Sequence, residues 1–294
     1  MKSYTLSVQN IKSLLILIVF CAVSFVGKAQ LFTPNTEVGF IGGGSYYLGD
    51  LNTAHFNNSS VAAGFIIRKN IDRRFCYKAE LLYLNLAADD RNNPSDTIAI
   101  NRGLHFKSPI YELSGQIEFN FLPYDPSNAL YTWTPFVYTG VSLFHFNPQA
   151  ENITGEWVSL QELGTEGQGT SSFPDRSKYA LTQFAIPMGG GLKIAVNPSF
   201  NIILEYGIRK TFTDYLDDVS TTFVGNGGSY PLEMNQDSRD MSDPLKTHFQ
   251  GDQRGDPNKN DWYSFAGITL SFKLNSNTKD CISDLDWSST QWKE

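Results

Sequence analysis

The stretch Ile110-Tyr-Glu-Leu-Ser-Gly-Gln-Ile-Glu-Phe-Asn-Phe121 decides the fold. Its odd positions are Tyr111, Leu113, Gly115, Ile117, Phe119 and Phe121; its even positions include Glu112, Ser114, Gln116, Glu118 and Asn120. Side chains alternate sides along a strand. The segment therefore has one greasy face and one polar, charged face. A helix would need a repeat of 3.6 residues, and none is present here.

The same alternation recurs along the chain. In residues 262–274, Ala266, Ile268, Leu270, Phe272 and Leu274 oppose Gly267, Thr269, Ser271 and Lys273. In 201–210, Ile202, Leu204, Tyr206 and Ile208 oppose Glu205, Gly207 and Arg209. Residues 180–196 and 75–85 repeat it, and 38–48, 61–68 and 135–145 carry weaker versions. That makes eight strands, separated by about 11, 5, 19, 12, 32, 2 and 49 residues. An even strand number with alternating long and short connections is the pattern of outer-membrane barrels. The expected fold is all-β: an eight-stranded antiparallel transmembrane outer-membrane β-barrel with short periplasmic turns and long extracellular loops. Period two alone fits a soluble sandwich as well. The loop asymmetry, an export leader and the aromatics Tyr124, Trp133 and Trp262 near strand ends favour the barrel.

Composition agrees. The 294 residues are 41% hydrophobic and 14% aromatic with 24 glycines, which points to strands and turns. Charged residues, at 18%, fall below the roughly 25% of soluble domains. A net charge of −7 argues against nucleic acid as a partner. Residues 1–29 read as a cleavable signal peptide: Lys2 and Lys12 precede the apolar run 14–26, and Gly27 and Ala29 are small. The run is short of the ~20 residues a spanning helix needs. Cys21 lacks the small residues before it that a lipoprotein signal requires. Cleavage before Gln30 removes three lysines and no acid and leaves −10. The expected organisation is 1–29 signal peptide, 30–274 barrel and 275–294 periplasmic tail. Cys76 and Cys281 remain, as one bridge or as two thiols.

Eight strands enclose an interior just filled by side chains. The inward set includes Lys78, Glu80, Glu112, Glu118, Lys193, Glu205, Arg209 and Lys273, four acids and four bases. Unpaired charges there would cost several kcal/mol each, so a plugged, ion-paired lumen is expected, with structural rather than catalytic carboxylates. His55, His105, His145 and His248 show no metal-ligand spacing. Asp214, Asp217 and Asp218 read as a solvated acidic turn. Residues 163–169 have glycine spacing faintly like a phosphate loop but lack its Lys-Ser/Thr ending. No nucleophile elbow or zinc-protease motif is present. The residues imply no enzyme, cofactor, metal or small-molecule substrate.

Five segments carry a resemblance. They are Gly44-Ser-Tyr-Tyr-Leu-Gly-Asp-Leu-Asn52, the strand around Ser108-Pro-Ile-Tyr-Glu-Leu continuing to Phe-Leu-Pro-Tyr124, Phe144-His-Phe-Asn-Pro148, Leu163-Gly-Thr-Glu-Gly-Gln-Gly169, and Arg209-Lys-Thr-Phe-Thr-Asp-Tyr-Leu-Asp-Asp-Val-Ser220. In that order they resemble the PorG family, the DUF6089 proteins of Bacteroidetes. The resemblance implies an outer-membrane component of the type IX protein secretion system, associated with a periplasmic ring of PorK and PorN and, in gliding species, with adhesin export. It brings no catalytic residues. Residues 224–246 and those after Leu274 match least. With outer-membrane lipid around the barrel, the turns 69–73 and 122–133 and the tail would face the periplasm, where Trp287 and Trp292 are candidate docking residues. A surface-exposed adhesion or ligand-binding barrel, using the long loops 147–178 and 213–261, is the alternative.

Overall fold

The decisive segment lies inside β4 (His105–Asn120), which pairs antiparallel with β3 (Phe75–Asp89) and β5 (Trp133–Phe146) in the computed structural model. Residues 32–92 and 97–274 are described. The chain divides into two units at Thr33 and Pro34, and the fold reported is that of the second. The proposed leader with Cys21, the tail with Trp287 and Trp292, and Cys281 lie outside the described residues.

The remaining wall strands are β1 (Asn35–Leu48), β2 (Ser60–Asn70), β8 (Thr182–Asn197), β9 (Phe200–Thr211) and β10 (Trp262–Leu274). A small hairpin, β6 (Gln149–Glu151) and β7 (Trp157–Ser159), rises from β5. The wall order β3-β2-β1-β10-β9-β8-β5-β4 is completed by the β3–β4 pairing. The eight long strands thus form a closed antiparallel barrel, which leaves no open edge. Connections 71–74, 121–132 and 198–199 lie at one end; 49–59, 90–104, 147–181 and 212–261 lie at the other.

Outward positions form an apolar belt. Leu113 is 57% exposed and Ile117 51%, while Glu112 and Glu118 are fully buried. Phe40, Phe65, Leu81, Val141, Phe184, Leu204 and Leu270 extend the belt around the wall. A soluble monomer rarely exposes a contiguous apolar surface of this size. Hydrocarbon removes the penalty for such a belt while the closed ladder satisfies every backbone group, so the barrel spans a membrane of the outer-membrane type. Its strands of 11–16 residues exceed the roughly 9–11 needed to cross. A Leu113→Arg substitution is expected to cost roughly 2–4 kcal/mol in lipid-vesicle unfolding. A cost near that of a surface change would place Leu113 in water.

Two boundaries differ most from the sequence reading. β3 continues past Asn85 to Asp89 and β4 begins at His105, because Leu86, Ala88, Phe106 and Ser108 keep the inward alternation going. Pro109 is tolerated inside β4: it falls between the pairing with β5, which ends at Ile110–Phe146, and the pairing with β6 at Lys107–Gln149. Tyr124 is not a girdle residue. It is buried, with its ring 6.0 Å from Lys193 Nζ. The loops also hold short helices at Thr97–Arg102, Leu160–Leu163 and Gln236–Ser242, too brief to register as a period. The last is capped by Asn235, whose side chain accepts the Ser238 N–H.

Candidate functional site

The inward faces fill the barrel in two storeys. Near the short-turn end the filling is ionic. Glu118 is its hub: Arg68 donates Nε at 2.8 Å and Nη2 at 3.0 Å, Lys193 donates Nζ, and Lys78 Nζ lies 3.7 Å away. Lys78 also reaches Glu205 at 2.9 Å and Glu80 at 3.0 Å. Arg209 bridges Glu80 at 2.9 Å and Glu112 at 3.3 Å. Neutral donors complete the carboxylates. Tyr263 gives its hydroxyl to Glu112 at 2.6 Å, and Ser271 and Asn70 donate to Glu37 at 2.6 and 2.7 Å.

Room for these long side chains comes from missing ones opposite. A Cβ on Gly207 would stand on the Tyr138 hydroxyl. That close approach is why glycine serves there in mid-strand. Tyr138 in turn lies beneath Lys78, 4.6 Å from the ring centre to Nζ.

Seven of the eight residues read as luminal from the sequence, Lys78, Glu80, Glu112, Glu118, Lys193, Glu205 and Arg209, meet in this network. Lys273 does not. It sits at the short-turn rim, half-exposed, with Nζ 3.1 Å from Ser127 Oγ, because β10 ends one residue later and its last inward position opens to water. Two members were missed, Glu37 and Arg68, which pair at 3.4 Å. Arg68 alternates with Ile67, and Glu37 with Val38, so parity alone could have found both. Cys76 is buried beside the network, its Sγ 3.5 Å from Lys193 Nζ.

Towards the long-loop end the filling turns apolar. Leu84, Leu86, Phe106, Ile110, Phe144, Phe146 and Phe265 point inward and pack with Leu160, Leu216, Val219 and Met241 from the loops. Over this core two of the resembling segments clasp each other. Glu166, from 163–169, accepts the Ser220 and Thr221 N–H groups and the hydroxyls of Thr221 and Tyr215. Asp218 takes hydroxyls from Thr165 and, at 2.7 Å, from Tyr179. Arg254 ties them together, 2.9 Å from Glu166 Oε1 and 3.6 Å from Asp218 Oδ2. A second arginine, Arg102, holds Asp90 with two N–H groups and caps the main-chain carbonyls of Asp50 and Arg254.

The acidic turn read as solvated is therefore buried: Asp214, Asp217 and Asp218 are nearly closed from water. Burial pushes the Asp218 carboxyl up to about 6, with Arg254 opposing, and the Asp214 carboxyl up to about 8. The glycine-spaced segment is a clasp, its turns made by Gly164, Gly167 and Gly169 at positive φ. His55 bonds Tyr46, His145 bonds Thr182, His105 accepts the Glu151 N–H, and His248 bonds Asp243. Among the described residues no group of three His, Cys, Asp or Glu side chains could hold a metal ion.

No curated protein matches the sequence. Among solved structures the chain is similar to Neisserial surface protein A at 10% identity, covering 83% of this chain and 100% of that one with a TM-score of 0.40. It is similar to Ail of Yersinia pestis at 8%, covering 82% and 97% with a TM-score of 0.38. OprG of Pseudomonas aeruginosa stands at 10%, 81% and 95%, with a TM-score of 0.35. The family model for a domain of unknown function, DUF6089, matches residues 12–283, and the chain belongs to that family.

Proposed function

We propose that this barrel is a non-enzymatic outer-membrane component of the type IX protein secretion system, seated on a periplasmic ring of PorK- and PorN-like proteins. The filled lumen carries the reading. Nine charged side chains interlock in the lower storey and the clasped loops pack over an apolar upper storey. A barrel filled this way offers no conduit, so its surfaces do the work, as an anchor would. The resemblance of the five segments points to the secretion machine, and the short turns supply the face turned to the ring.

Deleting the gene is expected to abolish export of many cargo proteins at once. Removing residues 275–294 is expected to lower recovery of the ring proteins in a pull-down from membranes. Normal export in the deletion strain would sink the reading. A second reading, a surface-binding barrel, draws on the apolar side chains the outer loops present to water, Leu232 at 92% and Ile153 at 79% exposure. Loss of a single adhesion phenotype with export intact would favour it.

A further inference from the structure

Tyr47, near the end of β1, is fully buried where the wall meets the loops. Its hydroxyl oxygen lies 2.6 Å from Asp217 Oδ2 and 2.7 Å from Asp261 Oδ1. Both aspartates are buried too, and each uses its other oxygen for a backbone N–H, Val219 to Asp217 at 3.0 Å and Leu216 to Asp261 at 2.9 Å. A tyrosine hydroxyl has one proton to give. Two contacts this short cannot both be donations from it, so the second needs a proton on a carboxyl, donated back to the tyrosine oxygen. We infer that Tyr47, Asp217 and Asp261 share one such carboxylic proton, and that the triad is a latch which pins both ends of residues 212–261 to the barrel wall and lets go when the proton is lost.

Among the described residues no cation makes an ion pair with either aspartate, and Arg102 favours the ionised Asp217 only from a distance. Asp50 faces Asp217 and adds negative charge, and Asp214 does the same to Asp261 once it ionises. Arg102 is held by Asp90 and two main-chain carbonyls, and Arg254 by Glu166 and Asp218. His105, on β4 near Asp217, accepts a backbone N–H at Nε2 and so is neutral. Burial accordingly pushes both latch carboxyls well above the ordinary range. In the opened loop each carboxyl releases its proton at about pH 4. Above that pH the latch therefore holds one more proton in the closed loop than in the open one, in addition to the protons on the raised Asp214 and Asp218 carboxyls. Closure is strongest in acid and weakens as pH rises, until the latch itself ionises.

The test uses the full-length chain folded in lipid nanodiscs, with closure of the barrel checked by heat-modifiable gel migration. Asp217→Asn replaces the carboxylic O–H by an amide N–H that cannot titrate. Wild type minus Asp217→Asn at neutral pH is expected to show one carboxylic-acid C=O stretch in the infrared. Exchange protection of the Leu216 and Val219 amides, corrected for intrinsic rates, is expected to fall in wild type by up to roughly tenfold per pH unit for each such proton on the alkaline side. In Asp217→Asn the slope should be shallower by one proton, the part set by the raised Asp214 and Asp218 carboxyls remaining. Tyr47→Phe is expected to loosen residues 212–261 at every pH while the barrel still migrates as folded. A difference spectrum without the acid band, the same pH slope in Asp217→Asn, or full protection in Tyr47→Phe each overturns the latch.

Discussion

Replacing Glu118 with alanine is expected to lower the unfolding free energy of the barrel by roughly 3–5 kcal/mol, the usual cost of removing one partner from a buried ion pair. The carboxylate serves Arg68, Lys193 and Lys78 at once. Without it, Arg68 keeps Glu37 at 3.4 Å and Lys78 keeps Glu80 and Glu205, but Lys193 has no other carboxylate in this network. The penalty comes from that stranded ammonium more than from any net worth of the pairs, since whole buried networks can often be exchanged for apolar residues at little cost. Glu118→Gln separates charge from volume: it fills the same space and should be nearly as damaging. Lys69→Ala is the control. Its ammonium is exposed and, among the described residues, meets Thr36 Oγ1 alone, so the expected change is within about 0.5 kcal/mol. Urea unfolding in lipid vesicles, followed by gel mobility, reads all three. Equal effects of Glu118→Gln and Lys69→Ala would falsify the hub.

The lower storey was legible because strand parity is a strict rule. Once 110–121 is a strand, Glu112 and Glu118 share a face with Gln116, and Leu113 and Ile117 share the other. Parity does not report height, however. Lys273 has the right face but stands at the rim, and Tyr124 has the composition of a girdle residue but lies under the barrel. The inward apolar residues Leu84, Leu86, Phe106, Phe144 and Phe146 break the pattern of greasy outside and polar inside. They do so because their side of the wall faces a loop core, which only the tertiary fold supplies. The clasp was invisible for a similar reason. Glu166 and Thr221 are 55 residues apart, and Glu166 and Arg254 are 88 apart. No local signal distinguishes a buried acid on a glycine-rich loop from a solvated one. The aspartates 214, 217 and 218 read as a hydrated run because charge runs usually are, and here Arg254 from a distant loop lies beside Asp218 while Asp217 is met by the Tyr47 hydroxyl.

Arg254→Ala should act on the cap alone, and the separation is the point of the experiment. Its guanidinium holds Glu166, Asp218 and the carbonyls of Asp218 and Ser242. Truncation leaves the Glu166 carboxylate fully buried without its ion-pair partner, a loss of roughly 3–5 kcal/mol to the local closing energy. That is enough to open segments of ordinary local stability. None of these partners lies on a wall strand, and the ladder from β1 to β10 is untouched. The expected result is fast proteolysis within residues 147–181 and 212–261 at temperatures where the barrel still shows its folded migration. Arg254→Lys should restore little, because one ammonium cannot span Glu166 and Asp218 together as the planar fork does. If the barrel and the cap of Arg254→Ala melt in one step, the two storeys are a single cooperative unit. The apolar residues they share, Leu84, Ile110 and Phe144 against Leu160 and Leu216, would then couple them more strongly than the clasp isolates them.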